Sequence, residues 1–437
     1  MLRSLIASWP LFFGLFLIMI GNGLLIFMLG VRASNAGFGT FISSIMMGGY
    51  FLGFFGGSQI VPKMLSTVGH IRTFGALSAI ASAAVLMHLI KTDPILWTVM
   101  RVFTGFAYAG MYIVVESWLN AKATNETRGQ MLSIYMIITM GGVGLGQITG
   151  GFDDGTAINL FLLASILVSI AVVPILISAA PAPEFAEPES VPLRRLYSIS
   201  PLAMLGMGLQ GMTASMTFGL GAIYATAIGL TSVQGAFFVA SVTAGNMLLQ
   251  YPVGRLSDIF DRRKIIMTVS LVAGLAAFGA SLMGPANYWL LLVLTALYGG
   301  FSLTIYSLCI AHANDYLTPS QMVGTASTLI TVNGIGAIIG PPVVGALMDV
   351  AGTQVYFWII ALIHAVLVGL ALLRMSVSAS VPVLAQGPFV AVPEVGTAVA
   401  ATLNPESAWD EEDDDTDQQA TLFEDNPYLQ MPAAAQD

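Results

Sequence analysis

The chain has 437 residues, of which 56% are hydrophobic and 9% charged. Soluble domains run at about 45–50% apolar and about 25% charged, so a water-soluble globular protein is excluded. The formal net charge of -9 belongs to the end of the chain: residues 405–437 hold 11 of the 24 acidic groups and no Lys or Arg, while residues 1–380 carry 15 basic and 12 acidic groups. A basic nucleic-acid footprint is absent.

A membrane-spanning helix needs about 20 mostly apolar residues, and runs of that length recur throughout. They predict an all-α membrane protein with twelve spans: 9–31, 37–61, 73–90, 95–119, 129–151, 156–180, 200–226, 233–256, 265–284, 288–311, 322–348 and 353–373. The first run follows Arg3 but exceeds the about 7–15 apolar residues of a signal peptide, so it reads as a retained span. It carries Asn22 near its middle. The fourth span holds Arg101, Tyr108, Tyr112 and Glu116, which fall on one stripe at about 3.6 residues per turn. Charge inside a membrane is costly and marks function by default. Arg101 is either a holder of an anionic group or a donor to a neighbouring helix. Glu116 is either a proton carrier or a rim residue in water, paired with Lys122 or Arg128.

After the sixth span comes a polar linker, 181–199, "PAPEFAEPESVPLRRLYSI". It divides the chain into a first half, 1–180, and a second, 200–375. Span 7 carries Gln210, Thr213 and Thr217, and span 8 carries Thr243, Asn246 and Gln250, each set at helical spacing. The link after span 8, "VGRLSDIFDRRK", concentrates Arg255, Asp258, Asp261, Arg262, Arg263 and Lys264. Span 10 places Tyr298, Ser302 and Tyr306 on one face and holds the lone cysteine, Cys309; span 11 holds Asn333 and the pair Pro341–Pro342; span 12 holds His364. One cysteine permits no intramolecular disulfide and no cysteine-based zinc site. From 376 to 437 the chain turns polar and acidic, "WDEEDDDTDQQ". Such runs repel themselves, so this segment is expected to be a disordered cytoplasmic tail.

Alternate links collect Arg3, Lys63, Arg72, Lys122, Arg128, Arg194, Arg195, Arg255, Arg262, Arg263, Lys264 and Arg374, and the other side collects Arg32 and Lys91. Basic residues stay on the cytoplasmic side, so both termini and the linker are expected there, in a cell (inner) membrane. The halves also resemble each other. "GGVGLGQITGG" (141–151) in span 5 matches "NGIGAIIGPPVVG" (333–345) in span 11 when Gly146 is set on Gly340, and "YAG" (108–110) matches "YGG" (298–300). Parallel repeats of this kind are a transporter architecture, with the site near the midplane between them.

"GRLSDIFDRR" (254–263) resembles the signature loop of the major facilitator superfamily, in the place of its second copy. "RVFTG" (101–105) resembles the family's Arg-x-x-x-Gly motif, and "GVGLGQITGG" resembles the glycine-rich motif of its antiporters, with Gln147 where proline is usual. "ESWLN" (116–120) and "AHAND" (311–315) resemble the YcaD-like bacterial branch. The resemblance implies two pseudo-symmetric six-helix halves and a central cavity lined by spans 1, 4, 7 and 10. It also implies a cytoplasmic gate at Gly254, Asp258, Arg262 and Arg263. The first-half counterpart, 56–74, keeps Gly57, Lys63, Gly69 and Arg72 but lacks the aspartate. The family's members are usually monomers.

The expected cavity lining is Asn22, Arg101, Tyr108, Tyr112, Glu116, Gln210, Thr213, Asn246, Gln250, Tyr298, Tyr306 and Asn333. Amides, hydroxyls and aromatic rings with little charge suit a small neutral or amphipathic organic solute. The expected function is secondary active transport by alternating access, with proton coupling through Glu116 and Arg101. The alternative is a non-transporting sensor or scaffold that signals through the acidic tail. His-Glu-x-x-His, Gly-x-Ser-x-Gly and phosphate-binding glycine loops are absent, so neither an enzyme nor a cofactor is expected.

Overall fold

A computed structural model describes residues 2–124, 127–152, 158–177, 191–392, 397 and 399. Among them the chain is helical: α1 (Leu2–Asn35), α2 (Thr40–Val68), α3 (His70–Ile90), α4 (Pro94–Lys122), α5 (Arg128–Gly150), α6 (Ile158–Ile177), α7 (Leu193–Ile199), α8 (Pro201–Ala227), α9 (Ser232–Ile259), α10 (Arg262–Ser281), α11 (Tyr288–Asn314), α12 (Pro319–Ala351) and α13 (Val355–Val377). Each expected span corresponds to one long helix to within a few residues. The short α7 occupies the end of the linker, whose residues 181–190 lie outside the described set, as do 400–437 with the acidic run.

Eleven helices are long and apolar enough to cross a membrane among the described residues. The remaining long helix, α8, is diluted by Gln210, Thr213, Ser215 and Thr217 along its buried side. It can carry them because it packs against α12, α11, α1 and α9 rather than standing alone in lipid. The outer helices show the opposite pattern. Leu162, Ile166 and Ile170 on α6, Leu271, Leu275 and Phe278 on α10, and Trp358, Leu362 and Val366 on α13 are exposed apolar faces, as a bilayer solvent requires.

Helix pairing repeats between the halves. In the first, α2 packs on α4, α1 on α5 and α6, and α3 on α4 and α6; in the second, α9 packs on α11, α8 on α12 and α13, and α10 on α11 and α13. The halves meet where α2 touches α12 and α5 touches α9.

Four helix crossings share one contact rule. On α2 and α4, a Cβ added to Gly53 would lie 1.9 Å from the Val102 carbonyl oxygen, and one added to Gly105 would lie 1.9 Å from that of Tyr50. The same reciprocity joins Gly245 to Ala296 and Gly299 to Val242 on α9 and α11. It joins Gly23 to Val143 and Gly146 to Ile20 on α1 and α5, and Gly211 to Asn333 and Gly336 to Gly208 on α8 and α12. In every pair each glycine meets the carbonyl three residues before the other glycine. Small residues let membrane helices approach this closely. The rule also corrects the motif alignment: Gly146 corresponds to Gly336, not Gly340, and Gly105 to Gly299. Both differ from the sequence match by one helical turn.

At such a crossing a methyl group has no space. Gly53→Ala is expected to lower stability by about 1–3 kcal/mol, the usual range for overpacking, read as a fall in thermal midpoint. Gly56→Ala, which meets nothing within 4 Å, is the control and should leave the midpoint unchanged or raise it slightly.

Candidate functional site

The polar residues expected along the cavity separate into two groups. In the first half, Asn22 Nδ2 donates to the Tyr50 and Tyr112 hydroxyls at 3.2 and 3.1 Å. The Arg101 guanidinium lies over the Tyr50 ring, 4.6 Å from its centre. Arg101 is 1% exposed, and its Nε and Nη1 have no hydrogen-bond partner among the described residues. Tyr108 sits between the rings of Tyr50 and Tyr112. Arg101, Tyr108 and Tyr112 of α4 thus meet in one network, which Tyr50 of α2 completes. Sequence alone does not single out Tyr50, one of several aromatic residues in its span.

In the second half, the Thr213 hydroxyl donates to Gln210, the Thr217 and Tyr298 hydroxyls bond at 2.6 Å, and Gln250 Nε2 donates to Ser307 at 3.3 Å. Asn333 Nδ2 donates to the Met207 carbonyl at 3.2 Å, which ties α12 to α8. Tyr306 is buried, and Asn246 is buried with its Nδ2 unbonded among the described residues. Across the halves, Thr243 donates to Gln147 at 3.4 Å. His364 Nε2 bonds Ser302 and its ring stacks edgewise on Tyr298, a packing role on α13.

Between the two groups lies a cavity of about 70 Å³. Its walls come from α2 (Tyr50, Phe51, Phe54, Phe55), α8 (Ala214, Phe218) and α12 (Asn333). Of the residues expected to line a cavity, only Asn333 reaches this one; Tyr50 connects it to the Asn22–Arg101 network behind.

Glu116 is fully buried, not a rim residue in water. Its carboxylate accepts the Tyr135 hydroxyl at 2.5 Å, the Thr397 amide at 3.2 Å and the Thr397 hydroxyl. Tyr135 and Thr397 were not singled out by sequence.

The charged loop after α9 is organised around Arg262. Its guanidinium donates to the Ala311 carbonyl at 2.9 Å, to Asp315 and to the Gly387 carbonyl at 2.7 Å, and stands 3.7 Å from Asp258. Arg263 pairs with Asp261 at 2.9 Å and donates to the Ser378 carbonyl. Burial pushes the Asp261 carboxyl up, but the bonds from Arg263 outweigh it and hold it below the ordinary carboxylate value. That pair is complete at neutral pH and is lost only as acid titrates Asp261 through its lowered value. Asp258 accepts the Phe389 amide at 2.7 Å, and the Phe389 ring fills the space beside Gly254. The expected tail thus begins as a bound segment. Residues 378–392 lie against the second half, with Val381 and Val392 buried, and further on Thr397 and Val399 are buried too. The disorder expected from residue 376 onward does not describe these residues. They carry few charges and many Val, Ala and Pro, unlike the acidic run beyond.

At the opposite face, Asp349 accepts the Thr40 and Phe41 amides at 3.0 and 2.9 Å, so α12 caps the start of α2. Tight glycine contacts lie at this end: Gly345 on Ser44, Gly151 on Ala236 and Gly30 on Ala222.

Comparison with known proteins now bears on this arrangement. Residues 203–399 match the family model described as Major Facilitator Superfamily. The second half of the chain is thus similar to the major facilitator superfamily. It is similar to proteins named uncharacterised MFS-type transporter YcaD. That of Escherichia fergusonii is 23% identical over 317 residues, covering 71% of this chain and 81% of the relative. That of Salmonella arizonae is 22% identical over 353 residues, covering 80% and 90%. Among solved structures, a variant of the nucleoside transporter NupG superposes with TM-score 0.72 at 13% identity, covering 84% of this chain and 99% of that one. A bacterial homolog of the human lysosomal transporter Spinster, inward-facing and occupied, gives 0.71 at 13%, covering 88% and 98%. With its long apolar helices the chain is a multi-pass membrane protein similar to YcaD, and these solved structures share its fold.

The Arg262 and Asp315 side chains are each 1% exposed. Breaking a buried pair strands a charge, at about 3–5 kcal/mol. Arg262→Met is expected to cost that much in unfolding free energy, and adding Asp315→Leu should recover part of it. A double-variant loss equal to the sum of the Arg262→Met and Asp315→Leu losses would show that the pair is not coupled.

Proposed function

We propose that this chain is a major facilitator that carries a small neutral or amphipathic organic solute by alternating access, coupled to protons, in a cell (inner) membrane with both termini cytoplasmic. The observation that carries the reading is the cavity shared by the halves. Its phenylalanines and Tyr50 offer apolar and aromatic contact, and Asn333 offers an amide, the mix that positions a small organic molecule. Tyr50 links the solute to Asn22 and to the unbonded edge of Arg101, where a polar or anionic group of the solute finds its donors. Since the walls belong to α2 on one side and α8 and α12 on the other, rocking of the halves widens or collapses this space.

Glu116 supplies the coupling. It lies on α4 with Arg101, 15 residues further along, or about 22 Å at 1.5 Å per residue. Its donors include Tyr135 and Thr397. In this scheme a proton takes the place of one of those donors as the halves move, so that the carboxyl crosses the cycle without a bare buried charge.

Two measurements check the reading. A thermal-shift screen of purified protein against amphipathic organic compounds should give a ligand that raises the melting point by mass action, and Asn22→Ala or Tyr50→Ala should weaken it about tenfold or more. In proteoliposomes, uptake of that ligand should follow an imposed pH gradient, and Glu116→Gln should abolish the gradient dependence while leaving the thermal shift. Gradient-driven uptake that survives Glu116→Gln would overturn the coupling role.

A further inference from the structure

The two faces of the protein are joined by different means. At the Asp349 face the halves touch directly, glycine on side chain. At the face carrying Arg262 and Asp258, the chain's own C-terminal segment lies between them. It leaves α13 at Ser378, whose carbonyl accepts from Arg263. It makes a turn at Val383–Ala385 and crosses the signature loop. There the Gly387 carbonyl accepts from Arg262, its amide donates to Asp315, and the Phe389 amide donates to Asp258. Next it reaches the inner end of α11, where Ser307 donates to the Val392 carbonyl and accepts from the Val392 amide, both at 3.0 Å. Finally it enters the first half: Thr397 bonds Glu116 through both its amide and its hydroxyl, and Val399 is buried in the first-half core with Tyr112, Leu119 and Tyr135.

We infer that the cleft at this face is a peptide-binding site whose ligand is residues 378–392 of the same chain with Thr397 and Val399, a strap that holds the two halves together and must leave before that face opens. The reasoning is chemical. The segment's backbone groups are satisfied by side chains from both halves, as an unpaired buried peptide group would be costly. Its apolar residues fill the groove: Phe389 takes the space beside Gly254, where a Cβ would come within 2.3 Å of the ring, and Pro388, Val390 and Val392 face Ile310, Met322 and Ala326. Four charged side chains that the signature loop and its neighbours would otherwise expose, Asp258, Arg262, Arg263 and Asp315, take backbone partners from the strap. Its far end occupies Glu116, so strap and proton compete for one carboxylate; that last clause rests on the coupling reading above, whereas the strap itself does not.

The test needs no transported solute, so it stands apart from the transport reading. Ala326→Cys is placed in a Cys309→Ala background, and maleimide labelling of the purified protein in detergent is timed. The full chain should label slowly. Ending the chain after Ala385, which keeps the Arg263 contacts, should speed labelling at least tenfold. A synthetic peptide of residues 386–400 added to the shortened protein should slow it again in a saturable way. Equal rates in full and shortened proteins, or no protection by the peptide, would overturn the strap. If the shortened chain does not purify as a folded species, the full-length Phe389→Ala/Thr397→Val variant is used instead. It should raise the rate at least threefold, and an unchanged rate would overturn the proposal equally.

Discussion

Close contact between helix backbones at eight glycines is the constraint on which the rest of the molecule depends. Each crossing brings a glycine against a carbonyl oxygen at a separation that any side chain would violate, so α2 with α4, α1 with α5, and their counterparts α9 with α11 and α8 with α12 are fixed in rotation and in height. The buried polar groups inherit that precision. Tyr50 and Val102 are the carbonyl partners in one crossing, and Tyr50 is the residue that carries Arg101 on its ring. Asn333 is a partner in another, and it brings an amide to the cavity. All four crossings lie within a half, so these contacts fix each half internally and leave the proposed rocking to the boundary between them.

Much of this was legible from composition and spacing. Long apolar runs give the spans, the basic residues give their alternation, and the stripe of Arg101, Tyr108, Tyr112 and Glu116 follows from helical period alone. What escaped depends on which helix lies beside which. Tyr50 is one aromatic residue among many in α2, and only the crossing with α4 sets it under Arg101. The repeat was found but set one turn off, because glycine-rich strings match at several registers four residues apart. Asp349 is a lone acid near the end of an apolar helix, and its meaning lies in the helix start it meets more than 300 residues earlier.

The tail shows a different failure. Residues 376–437 were read as one polar segment because the acidic run dominates their composition. Divided at about residue 400, the first part holds a single charged residue, Glu394. A segment so apolar gains by burial, and the groove beside the signature loop accommodates it. The loop itself, read from sequence as a device for closing the protein's cytoplasmic end, is occupied here with α11 and with this segment. The concentration of charge in "VGRLSDIFDRRK" serves peptide groups as much as it serves topology.

The cap that Asp349 places on α2 has a thermodynamic corollary. Two exposed amide–carboxylate bonds at a helix start contribute about 0.5–2 kcal/mol, a bias that thermal energy overcomes within a few RT. The opposite end is held by a longer series of buried bonds. In the proposed cycle, which breaks one set and then the other, this inequality would leave the two faces unequally populated before any solute arrives.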